Sequence, residues 1–166
     1  MTVLRSFLLL SASLLVAVLF TSAAVTAQER PNTSIVFDEG DYKSVNVDQM
    51  IARLTSIGDK QRYFIEPSPV KFSATLMQQP KVGTFQLVYD SLNAWGVSPM
   101  PEVRHASYLK VDGGKVVPVY LEAQVAKSIA KRMSVNQQAE FYALHIYNHE
   151  KGPRFLVVSF NEASIQ

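Results

Sequence analysis

The chain has 166 residues, with 16 Lys and Arg against 14 Asp and Glu, three His and no Cys. A near-neutral chain without runs of like charge carries neither a nucleic-acid footprint nor a polybasic membrane patch. Without Cys there is no disulfide scaffold and no thiol nucleophile.

The N-terminus reads as a cleavable secretory signal peptide over residues 1–27. Arg5 precedes an apolar run from Phe7 to Phe20, and small residues lead to Val25-Thr26-Ala27, where cleavage is expected. As a helix the run would rise roughly 21 Å, short of the roughly 30 Å hydrocarbon core; a retained anchor is the other reading. Export without cysteine suits a bacterial periplasmic or secreted protein with a core large enough to need no staples.

Residues 28–61 read as a polar leader, Gln28 to Asn32, a short strand at Ser34 to Phe37, a turn at Asp38 to Asp41 and a short helix from Asp48 to Ile57. Asp48 is the expected N-cap and Gly58 the expected stop. Residues 62–166 form the expected globular domain. Arg62 to Met77 is extended in composition, with Pro67 and Pro69 interrupting it. Phe85, Val88, Tyr89, Leu92 and Trp95 fall at helical spacing, closed by Gly96. Such a stripe is either a core face or a partner-binding face, with Trp95 at its end as a cap.

Val103 to Val111 and Lys115 to Tyr120 flank Asp112-Gly113-Gly114, a hairpin turn. Leu121, Val125, Ile129 and Met133 line one face of an amphipathic helix from Leu121 to Met133, with Glu122 in its first turn and Arg132 in its last. Glu140 to His149 and Arg154 to Phe160 form a second hairpin across Glu150 to Pro153. Five strands with a helix between the third and fourth is the element order of an OB-like five-stranded barrel, here with one more helix inserted after the first strand. An open antiparallel sheet covered by helices, an α+β sandwich, is the alternative.

Site candidates come from residue chemistry alone. In a strand, Phe141, Ala143, His145, Tyr147 and His149 share one face. His145 and His149 then stand about 13 Å apart, too far to share a metal. A metal site would need His105, His149 and Glu150 to converge. Tyr108, Lys110, Tyr120, Tyr147, His149 and Arg154 form the candidate ligand-binding surface, an aromatic and basic set suited to a sugar, peptide or cell-wall fragment. No Gly-x-Ser-x-Gly turn or paired carboxylates mark a catalytic centre, and no cofactor is implied.

The sequence therefore points to an exported, non-enzymatic binding module of the bacterial cell envelope. Its partner would be a small molecule, glycan, peptide or envelope protein. An exported metal-assisted hydrolase and a structural or assembly subunit are the alternatives.

Overall fold

The computed structural model describes residues 35, 37–56 and 63–162. The expected signal peptide and leader, Ser34 and Val36, and Ile57 and Gly58 at the first helix end lie outside the described residues. Of the expected Ser34–Phe37 strand, Ile35 and Phe37 are described and neither is in a strand. None of the helices among the described residues is long and apolar enough to cross a membrane.

A 3-10 turn at Glu39–Asp41, begun by the Asp38 carboxylate accepting from Gly40 N (2.9 Å), occupies the expected turn. After it come β1 (Lys43–Ser44) and α1 (Val47–Ser56). Then follow β2 (Tyr63–Leu76), β3 (Lys81–Val82) and α2 (Gln86–Ala94). The C-terminal part is β4 (Val103–Val111), β5 (Val116–Glu122), α3 (Ala123–Arg132), β6 (Gln138–His149) and β7 (Gly152–Glu162).

The molecule is α+β: one mixed seven-stranded sheet with three helices, in the order β1-β2-β6-β7-β5-β4-β3. β2 pairs a second time, antiparallel to β4 through Ala74–Val111, Thr75–Lys110 and Leu76–Leu109. β5 and β7 run parallel, Val119 beside Phe155. The 14-residue β2 can pair with both β6 and β4 because of its length, and Pro67 falls where its ladder to β6 shifts register, between Phe64 and Ser68.

The sheet carries one apolar cluster on one face and a second on the other. Phe72, Leu76, Leu109, Val119, Phe141, Phe155, Val157 and Phe160 form the first, covered by Val125, Ile129 and Met133 beside α3 and by Val47 and Ile51 of α1. The second sets Tyr142, Leu144, Ile146, Tyr147, Leu156 and Val158 against Val88 and Leu92 of α2 and Tyr42. β6 and β7 are thus apolar on both faces, and their composition alternates little. The α2 stripe is a core face, and Ser91 Oγ pins it by donating to the Ile146 carbonyl (2.7 Å). Trp95, expected as a cap, is 49% exposed at the helix C-cap and belongs to neither apolar cluster.

Three local expectations need correction. Helix α1 starts one residue earlier than expected, and its capping side chain is Asn46, whose Oδ1 accepts from Gln49 N (2.9 Å). Asp48 instead reaches the β4–β5 hairpin, its Oδ2 accepting from Gly113 N (2.7 Å). Leu121 and Glu122 end β5 rather than begin α3, because Leu121 packs among the strand residues of the first cluster. Finally, Tyr147 does not share a face with Phe141 and Ala143: a register shift between His145 and Tyr147 turns it into the second cluster.

A Cβ at Gly113 would overlap the Asp48 carboxylate, so a side chain there requires Asp48 to swing away and give up the bond it accepts from Gly113 N. Gly113→Ala is expected to lower stability by about 1–3 kcal/mol through loss of this charge-assisted bond. In an Asp48→Ala background the same change should cost much less, and a double-mutant cycle by urea melting measures that coupling. Full additivity would show that the two residues do not act together.

Candidate ligand-binding face

The outward-facing side of β4 and β5 is set by alternation. Leu109, Val111, Val117, Val119 and Leu121 point into the first cluster, leaving Tyr108, Lys110 and Tyr120 on the other side. Tyr108 pairs with Pro118, and Tyr120 with Ala106, two positions along. Tyr108 is 46% exposed.

Tyr147 joins this side from β6. It pairs with Phe64 of β2 and with Arg154 of β7. Its hydroxyl lies 2.6 Å from that of Tyr120, one donating to the other, with the rings 6.3 Å apart. Phe64 meets the Tyr147 ring edge-on at 6.3 Å, and Phe85 packs at 5.1 Å from Tyr120. These four rings form a continuous aromatic row from β2 to the start of α2. Burial falls off along it: Tyr147 is fully covered, whereas Phe64 is 38% exposed.

Arg154 lies beside Tyr147 and is itself buried, Nη1 donating to the carbonyls of Gly152 and Pro153 (3.0 Å each). So Tyr120, Tyr147 and Arg154 come together, with Tyr108 on the same side. Lys110 stands two residues past Tyr108, where β4 meets Thr75 of β2. His149 sits at the β6–β7 hairpin, Nδ1 accepting from Lys151 N (3.2 Å). Phe64 is not a site candidate in the sequence, and Phe85 is one only as the first residue of the helical stripe. Phe64 precedes the β2 prolines, and Phe85 occupies the N-cap of α2; both gain meaning only from cross-strand register.

Two polar clusters lie elsewhere. The Tyr142 hydroxyl is within 2.6 Å of Glu39 Oε1 and 2.7 Å of Glu140 Oε2, and Asn161 Nδ2 donates to it (3.0 Å). Burial first, then these two carboxylates, raise its pKa well above 10. One phenolic proton is drawn to both carboxylates, so ionising it would set three negative charges together. His145 is a half-buried polar residue bonded through Nε2 to Asn148 Oδ1 (2.9 Å), and burial holds its pKa below 6.5 against the opposing effect of that bond.

A pocket of about 270 Å³ opens at the N-terminus of α1, lined in part by Asn46, Asp48, Phe72, Ser73 and Asp112. It contains none of the expected ligand residues. Asp48 Oδ1 is buried there without a hydrogen-bond partner. Among the described residues no three His, Asp or Glu side chains form a group that could hold a metal. The convergence of His105, His149 and Glu150 is therefore corrected: His105 pairs with Val82 and Leu121 on β4, away from the hairpin that carries the other two.

Comparison with protein-family models, with curated proteins and with solved structures finds no match, and the functional reading rests on the geometry of the chain itself.

Proposed function

We propose that the chain is an exported binding module of the bacterial cell envelope, built as an OB-like barrel. The proposed ligand face is the aromatic row of Phe64, Tyr147, Tyr120 and Phe85 with Tyr108 and Arg154. Support for the barrel comes from the ring of pairings β2–β6–β7–β5–β4–β2 and from the position of α3 between β5 and β6. An OB barrel binds ligands on its second and third strands and on the connections after its first and fourth strands. Here these are β4, β5, the α2 connection and the β6–β7 hairpin, the elements that carry or border the row. The export reading rests on Arg5, the Phe7–Phe20 run and the Val25–Ala27 cleavage site.

The observation that carries the binding reading is the exposure of Phe64, held edge-on against Tyr147 in the aromatic cluster, with Tyr108 exposed on the same side of the sheet. Rings held by neighbouring rings present a rigid stacking surface at little entropic cost. Tyr147 is unsuited to a test because it is buried, and truncating it would cost folding stability. Tyr108→Ser is expected to leave the melting temperature nearly unchanged, and Phe64→Ser, which removes a ring packed on Tyr147, to lower it by a few degrees without unfolding the protein. Either should weaken a bound disaccharide or short peptide about tenfold or more, since stacking on one aromatic ring is worth about 1–3 kcal/mol. Saturation-transfer NMR on the full chain with N-acetylated disaccharides and tripeptides measures this. Binding untouched by both substitutions removes the face. No binding by any probe turns the reading toward a protein partner.

A further inference from the structure

The guanidinium of Arg154 is an anomaly on this face. The side chain is only 7% exposed, yet among the described residues no carboxylate stands within ion-pair distance of it. Its protein partners are two carbonyls, both taken by Nη1. Among the described residues Nε and Nη2 have no acceptor, and they are not among the atoms sealed from solvent. An arginine keeps its proton in proteins, and a buried cation without a counter-charge is costly. With Nη1 held, the Nε–H and one Nη2–H remain as a parallel pair, the fork that matches two oxygens of a carboxylate or phosphate.

Register places Arg154 centrally. Phe64, Tyr147 and Arg154 are consecutive partners across β2, β6 and β7. One residue before the Val119–Phe155 pair, Arg154 is level with Pro118, and Pro118 pairs with Tyr108. Arg154 therefore lies in the middle of a cross-strand row that ends at Phe64 on one side and Tyr108 on the other, each about 9–10 Å from it between Cα atoms at two strand spacings. We infer that Arg154 is the oxyanion-binding subsite of the ligand face, and that the ligand carries a carboxylate or phosphate attached to a ring that stacks on Phe64 or Tyr108. This inference rests on the binding reading proposed above and narrows it to anionic ligands.

Three small probes separate the parts: benzoate, phenyl phosphate and benzamide, the neutral counterpart of benzoate. Calorimetric or ligand-observed NMR titration of the full chain is expected to show benzoate or phenyl phosphate binding at least about tenfold tighter than benzamide. Whichever anion binds tighter names the carboxylate or the phosphate as the recognised group. Arg154→Met is expected to abolish that advantage, the anions falling to the affinity of benzamide, a split between charged and neutral probes that a merely structural arginine would not produce. Equal affinity for benzoate, phenyl phosphate and benzamide, or an advantage that survives Arg154→Met, overturns the subsite. If benzamide still binds in a manner lost with Phe64→Ser or Tyr108→Ser, the ligand face stands and only the subsite falls. If none of the probes binds, both fall. Where Arg154→Met does not fold, wild-type discrimination between benzoate and benzamide, repeated with competing inorganic phosphate, decides alone.

Discussion

Phe155→Ala is expected to lower stability by about 3–5 kcal/mol, the range for truncating a fully buried phenylalanine. Phe155 is wholly buried in the first cluster, 5.0 Å from the Phe72 ring and 5.4 Å from His145. Phe72 continues to Phe141 at 6.5 Å, and Phe141 to Phe160 at 6.4 Å. Strands β2, β6 and β7 are thus joined through their side chains as well as their ladders. Removing Phe155 deletes apolar contact area and leaves a cavity that a sheet paired on both sides cannot collapse to fill. In a thermal melt the loss corresponds to about 10–20 °C for a domain of this size. Phe155→Leu, which keeps most of the volume, should cost less than half as much. A loss below about 1 kcal/mol for Phe155→Ala would mean that these rings do not form the enclosed core.

The second large effect is alkaline loss of stability. Burial, then the charges of Asp41 and Glu122, push the Tyr42 phenol from 10 up to about 12, and Tyr142 is raised as well. Both groups hold their protons more tightly folded than unfolded. Their contribution is complete below pH 10 and is lost as pH rises through the folded values. For Tyr42 the rise amounts to at most about 2.7 kcal/mol, reduced where solvent screens the hydroxyl. The two phenols and Phe37 pack together, with ring centroids 5.1 to 5.6 Å apart. Ionising either phenol therefore loosens the segment from residue 37 to 42 from β6. Urea melts between pH 8 and 11.5 should show wild-type stability falling above pH 10. The Tyr42→Phe/Tyr142→Phe variant should start lower, having lost the hydrogen bonds of Tyr142, but should fall much less steeply. Parallel pH curves for the two proteins would refute this assignment.

Much of the local structure is legible in residue order. The Asp112-Gly113-Gly114 turn needs a residue free to take positive φ, and Gly114 has φ +79°. Gly96, at φ +67°, closes α2 as its position after Trp95 implies. Leu92 and Val88 lie at helical spacing and are buried together. The element boundaries that shifted were those where two periodicities overlap: Leu121 suits a helix face and a strand interior equally well, and its contacts across β5 decided for the strand.

Chain order alone determined the succession of the five long strands and the three helices, the hairpin turn and the cysteine-free composition, because turn chemistry and apolar spacing act over a few residues. The two-residue strands β1 and β3, in contrast, exist only through their partners. Which strands pair, and which face a side chain takes, depended on contacts distant in sequence. A one-residue register shift between His145 and Tyr147 moved Tyr147 from the expected face to its opposite. That shift brings Tyr147 against Tyr120, 27 residues away, and across β2 from Phe64. The same pairing buries Arg154, which the sequence could present only as a basic residue after a turn. Its lack of a counter-charge is a property of the tertiary structure, since it depends on what every neighbouring strand brings to that point.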